Sequence, residues 1–108
     1  MSDDVLRQLA ETIRARRAGD AEASYTRKLL DAGPAKIGKK LGEEAVETII
    51  AAVAESDEAL AGEAADLIYH LLVLLEARSI DVGTVLEILE RRMGRSGLEE
   101  KASRGRSG

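Results

Sequence analysis

The chain has 108 residues, sixteen of them basic and twenty acidic, for a formal net charge of −4; 44% are hydrophobic, two Tyr are the only aromatics, and Cys is absent. This length suits one small domain and is short for burying long opposed helices unaided, so self-association is expected. The lack of Cys excludes a disulfide, a thiolate zinc site and a cysteine nucleophile, and it fits a reducing, cytoplasmic setting.

In chain order, Val5, Leu6, Leu9 and Ile13 recur at helical spacing and predict a first helix over about residues 3–17, closed by Gly19. This N-terminal stretch is amphipathic and has no continuous apolar run, so neither a signal peptide nor a membrane span is expected. AEASYTRKLLDAG predicts a shorter second helix that stops at Gly33. Pro34 then suits the first turn of a third helix running to about Glu55. Ser56 and Asp57 offer capping oxygens to a fourth helix, reaching about Arg78, and Asp81 caps a fifth from Val82 to Met93. No stretch alternates with a period of two, so the expected fold is all-α, a bundle of four to five helices over residues 1–94. Residues 95–108, rich in Gly, Ser and Arg, are expected to form a basic flexible tail. From Arg91 onward six basic residues face two acidic ones, leaving an acidic body that argues against nucleic-acid binding.

On a helical wheel, Ile37, Leu41, Ala45, Val46, Ile49, Ile50 and Val53 of the third helix cover roughly 220° of arc. That is wide for a surface helix, and it predicts cover on two sides, in a bundle or at a dimer interface. The remaining arc holds Lys40, Glu43, Glu44 and Glu47, with Lys36 and Lys39 upstream. Glu44 and Glu47, three residues apart, share a face. On the fourth helix, Leu60, Ala64, Leu67, Leu71, Leu74 and Leu75 form the expected apolar side, while Glu63, Asp66 and His70 share the opposite stripe.

Carboxylates beside apolar surface cost several kcal/mol unless they are paired or coordinate a metal (about 3–5 kcal/mol when a partner is lost). Glu63 and Asp66 have no basic residue three or four positions away. If the two polar faces meet, Glu44, Glu47, Glu63 and Asp66 converge on one cation. Hard oxygen donors favour Mg²⁺, with Mn²⁺ also suited, over zinc. A di-iron site needs two Glu-x-x-His motifs, and the chain has one His. His70 is open to two readings, a core His bonded to Asp66 or a group contacting phosphate. Such a cation suits phosphoanhydride hydrolysis by water, with Glu44 or Glu47 activating the water and Lys40 stabilising developing charge.

SYTRKLL (24–30), KIGKKLGEEAVE (36–47) and EAADLIYHLLVLL (63–75) together resemble the phosphoribosyl-ATP pyrophosphatase family of histidine biosynthesis. The paired motifs EExxE and ExxD alone mark only the wider all-α, MazG-like NTP pyrophosphohydrolase superfamily. The resemblance implies Mg²⁺-dependent hydrolysis of 1-(5-phosphoribosyl)-ATP to 1-(5-phosphoribosyl)-AMP and pyrophosphate, and an intertwined homodimer. It implies metal ligation by Glu44, Glu47, Glu63 and Asp66, and phosphate contacts from Lys36, Lys39 and Lys40. Tyr25, Thr26 and Lys28 match an upstream segment that could hold substrate, with Glu43 a neighbouring acid. Many members are fused to a zinc- and cysteine-dependent cyclohydrolase; this chain is expected to rely on a separate one. Two other readings stay open: a cleanup enzyme for noncanonical NTP or dNTP, and a noncatalytic helical oligomerisation module.

Overall fold

The computed structural model describes residues 2–19 and 24–94. The expected tail, 95–108, lies outside them, as does the expected start of the second helix before Ser24. The described residues contain helices and no strand: α1 Ser2–Ala15, a 3-10 turn Arg16–Ala18, α2 Tyr25–Ala32, α3 Pro34–Ala54, α4 Asp57–Ala77 and α5 Val82–Met93.

Local chemistry sets most of these boundaries. The Ser24 hydroxyl accepts from Arg27 N–H at 3.1 Å and Ser56 accepts from Ala59 N–H at 3.1 Å, each satisfying a donor that the first turn leaves free. Asp81 Oδ2 does the same for Gly83 N–H at 3.0 Å. Between α2 and α3 the chain turns at Gly33, whose φ of 94° suits a residue without Cβ. Its N–H bonds the Leu29 carbonyl at 3.3 Å, and its carbonyl takes the Ile37 N–H at 3.1 Å. Both helices are thereby closed in one residue, with Pro34 following where its missing N–H costs nothing.

With only Glu55 and Ser56 between them, α3 and α4 form an antiparallel hairpin, the most extensive helix pair of the molecule. Helices α1 and α2 pack against α4, α2 also packs against α3, and α5 lies on α1. The core gathers at the C-terminal half of α4: Ile13, Leu29, Ile37, Leu72, Val73 and Val82 are buried, as the aliphatic palette requires. Each such side chain contributes about 1.5–3 kcal/mol of transfer free energy.

Two expected faces differ from what forms. On α4, Leu71 is 40% exposed, whereas Leu72, Val73 and His70 are buried. The segment LIYHLLVLL is apolar almost all round, so three neighbouring helices, rather than the wheel, select the buried side. On α3, Ile37 is sealed and Ala51 is buried, yet Val46, Ile49, Ile50 and Val53 stand 49–82% exposed. These four residues form one stripe at helical spacing, and no helix among the described residues covers them. Among the described residues, the two-sided cover expected for α3 is therefore incomplete along this stripe.

Candidate active site

The α3–α4 hairpin carries one acidic pair on each arm. Antiparallel packing brings them level: ligand oxygens of Glu44, Glu63 and Asp66 all lie within 4.8 Å of one another. Glu44 is buried, Glu63 half-buried and Asp66 exposed, so the group opens from the helix interface to solvent. Glu44 Oε1 has a distant cation, Lys40 Nζ at 3.9 Å, which also sits 3.7 Å from Glu43. Glu44 Oε2 is buried with no hydrogen-bond partner. Among the described residues no Lys or Arg lies within ion-pair distance of Glu63 or Asp66.

Such a set is electrostatically costly as it stands. Burial pushes the Glu44 carboxyl above its ordinary range, reinforced by the neighbouring Glu47 and, less, by Asp66. Burial also raises Glu63, followed by repulsion from Glu47, Glu44 and Asp66. An orphaned buried oxygen within a cluster of hard acceptors fits a divalent cation of the Mg²⁺ type. Of the four carboxylates expected to converge, Glu47 is exposed and outside the tight group. It is nevertheless near enough to repel Glu44 and Glu63.

Next to the acids is a pocket of about 310 Å³, lined by Tyr25, Leu29, Lys36, Lys39, Lys40 and Glu43. It unites four residues expected on α3 with Tyr25 from α2. Lys28, expected beside them, is exposed and does not line it. Thr26, expected to meet substrate, is 1% exposed, with its hydroxyl against that of Tyr69. It is turned into the core behind Tyr25, because α2 presents Thr26 and Leu29 inward together.

His70, read either as a core His or as a phosphate contact, is buried, and its Nδ1 lies 2.7 Å from the Asp66 backbone carbonyl. A carbonyl only accepts, so Nδ1 carries the proton and in the neutral ring Nε2 is left as acceptor. The Tyr25 hydroxyl, 3.0 Å away, donates to it. Tyr69, which the sequence reading did not single out, completes the group. Its ring lies 6.3 Å from that of Tyr25 at 20° and 5.0 Å from His70 edge-on. The signal was present in the composition, since the chain's only two tyrosines flank this one His in space.

The phosphoribosyl-ATP pyrophosphohydrolase family model matches residues 6–93. The phosphoribosyl-ATP pyrophosphatase of Caulobacter vibrioides is 58% identical over 101 residues, covering 94% of both chains. That of Paracoccus denitrificans is 57% identical over 99 residues, 92% of each, and that of Erythrobacter litoralis 54% over 102, covering 94% of this chain and 98% of the relative. This chain belongs to the phosphoribosyl-ATP pyrophosphohydrolase family, a family of hydrolases.

Proposed function

We propose that the chain hydrolyses the bond between the α and β phosphates of 1-(5-phosphoribosyl)-ATP, giving 1-(5-phosphoribosyl)-AMP and pyrophosphate in the second step of histidine biosynthesis. The single observation carrying this reading is the convergence of Glu44, Glu63 and Asp66 around an unpartnered buried oxygen. Its setting, beside a lysine-lined pocket in a chain of this family, supplies the substrate class.

Glu44, Glu63 and Asp66 are the residues that would hold Mg²⁺, with Mn²⁺ as a substitute, and the ion would there supply charge neutralisation for nonbridging phosphate oxygens and acidification of water. Glu47, exposed beside the group, is placed to orient the attacking water and take its proton. The water oxygen bonds to phosphorus as the bridging P–O bond breaks, and the bridging oxygen leaves with the departing phosphate. Lys40, within 4 Å of both Glu43 and Glu44, offsets the charge that develops on that oxygen. His70 and Tyr69 hold the Tyr25 ring at the pocket wall.

Two copies pair through the uncovered Val46, Ile49, Ile50 and Val53 stripe, forming the homodimer that the wide apolar arc of α3 requires. The enzyme works in the cytoplasm, and a separate cyclohydrolase consumes its product. No helix among the described residues is long and apolar enough to cross a membrane.

The deciding experiment is pyrophosphate release with Mg²⁺ from phosphoribosyl-ATP against a panel of NTPs and dNTPs. Turnover restricted to phosphoribosyl-ATP is expected. Preference for a noncanonical NTP would reassign the chain to nucleotide cleanup, and no turnover of any substrate would leave only a noncatalytic helical module.

A further inference from the structure

The pocket beside the carboxylates extends along α3 away from the acids and carries two lysines besides Lys40. Lys40 belongs to the acidic end, 3.9 Å from Glu44. Lys36 lies eight residues before Glu44, about 12 Å of helical rise, and Lys39 only one position before Lys40 but exposed and directed into the same pocket wall. Neither Lys36 nor Lys39 has a carboxylate within ion-pair distance among the described residues, whereas Lys40 has two. The floor between them is the Tyr25 ring and the Leu29 side chain, both suited to the face of a sugar or base and unsuited to a bare pyrophosphate.

Phosphoribosyl-ATP has two separate phosphate ends: the triphosphate, and the 5-phosphate of the ribosyl group attached to adenine. We propose that Lys36 and Lys39 bind this second, monophosphate end, with Tyr25 and Leu29 packing against the ribosyl arm. The lysine pocket thereby separates phosphoribosylated nucleotides from ordinary ones. The assignment rests on the function proposed above and extends it. Along α3, the substrate then lies with its reacting phosphates at the Glu44 end and its distinguishing phosphate a turn or more toward Pro34. Because the second phosphate needs no metal, its recognition is independent of Mg²⁺ and can be read by binding alone. Both lysines are exposed, so replacing them leaves the packed core intact.

The test compares the binding of phosphoribosyl-AMP and AMP in EDTA by calorimetry, for the parent and for Lys36→Gln/Lys39→Gln. The parent is expected to favour phosphoribosyl-AMP, and the double variant to lose about tenfold or more of that preference, as expected on losing charge-assisted hydrogen bonds. Ribose 5-phosphate should compete with phosphoribosyl-AMP for the parent and compete less well for the variant. Equal weakening of AMP and phosphoribosyl-AMP would place the lysines on the nucleotide's own phosphate and overturn the proposal. So would a parent that does not distinguish the two ligands. Pyrophosphate release from phosphoribosyl-ATP, measured separately with Mg²⁺, tells these outcomes from failure of the proposed reaction: turnover with an unchanged preference sinks the pocket assignment alone, whereas no turnover sinks both.

Discussion

Two acidic groups of similar burial, Glu76 at the C-terminal end of α4 and Glu44 midway along α3, are treated in opposite ways. At the C-terminal end, Glu76 has a side chain only 12% exposed and receives Arg17 Nε at 2.7 Å and Arg14 Nε at 3.3 Å. Arg14 also reaches Asp81 at 3.2 Å, and Asp81 caps α5. On α3, Glu44, 9% exposed in its side chain, faces Glu63 and Asp66 of α4, has Lys40 at the limit of ion-pair distance, and keeps one oxygen without any partner. The first arrangement ties α1 and its 3-10 turn to the start of α5. The second leaves charge uncompensated inside the molecule, a cost that folding alone gives no reason to bear. Compensation therefore separates a structural carboxylate from one proposed to hold a cation more clearly than burial does.

The strongest way to break this contrast is to neutralise one acid of each kind. Glu44→Gln or Glu47→Gln is expected to lower Mg²⁺-supported turnover of phosphoribosyl-ATP by about 100-fold or more, the scale of losing a metal ligand or a general base. Glu76→Gln should leave kcat within a few-fold. Initial rates of pyrophosphate release decide it, and equal losses from both ends would erase the distinction. A second large effect concerns the uncovered α3 stripe. Ile49→Glu is expected to convert a dimer into a monomer in analytical ultracentrifugation, since burying an unpaired charge at a helix interface costs several kcal/mol (about 3–5). A parent that sediments as a monomer would remove the proposed partner of that stripe.

Stability sharpens the comparison with the sign reversed. In EDTA, Glu76→Gln should lower Tm, because two guanidinium groups lose their ionic partner. Both are about half exposed, so solvent screening limits the cost to about 1 kcal/mol. Glu44→Gln should raise Tm by a similar amount, relieving repulsion and supplying a neutral amide. For a domain of this size, 1 kcal/mol corresponds to about 4–8 °C. Addition of Mg²⁺ and nucleotide should stabilise the parent and leave Glu44→Gln nearly unmoved. A parent destabilised by Glu44→Gln in EDTA would show that its carboxylate is structural after all.

The uncompensated cluster was the more legible of the two arrangements in the sequence, for a physical reason. Glu44 and Glu63–Asp66 are short-range patterns within otherwise apolar helices, and the lack of nearby basic residues around Glu63 and Asp66 could be read by counting along the chain. The caps at Ser56 and Asp81 were legible on the same local grounds. By contrast, the Arg14–Glu76 and Arg17–Glu76 pairs join residues 62 and 59 positions apart, which no local pattern reveals. His70 shows the same limit. Its line on the helix wheel was correct, but its neighbours come from α2, and they turn it from a ligand-facing group into the buried acceptor of the Tyr25 hydroxyl. Thr26 reads like a substrate hydroxyl until Tyr69 is seen to occupy it. Side-chain spacing located faces; only tertiary packing chose which face was covered.

The smallest expected effect is the pH dependence of the acidic cluster. In the metal-free protein Glu44 is raised above its ordinary range, by burial first and then by Glu47, and Glu63 is raised by burial and the same neighbours. The folded state thus binds these protons more tightly than the unfolded chain. Their favourable contribution is fully present below the unfolded carboxyl value, about 4.3, and is lost as pH rises through the raised folded values. The Tm advantage of Glu44→Gln over the parent in EDTA should therefore shrink as pH falls from about 8 to about 5. Mg²⁺ competes with the same protons, so its stabilisation of the parent should weaken over that interval. Scanning calorimetry at matched ionic strength tests both slopes. If the Glu44→Gln advantage stayed constant, or grew toward acid, the cluster would be ionised without strain in the absence of metal, and the contrast between Glu44 and Glu76 would be one of position alone.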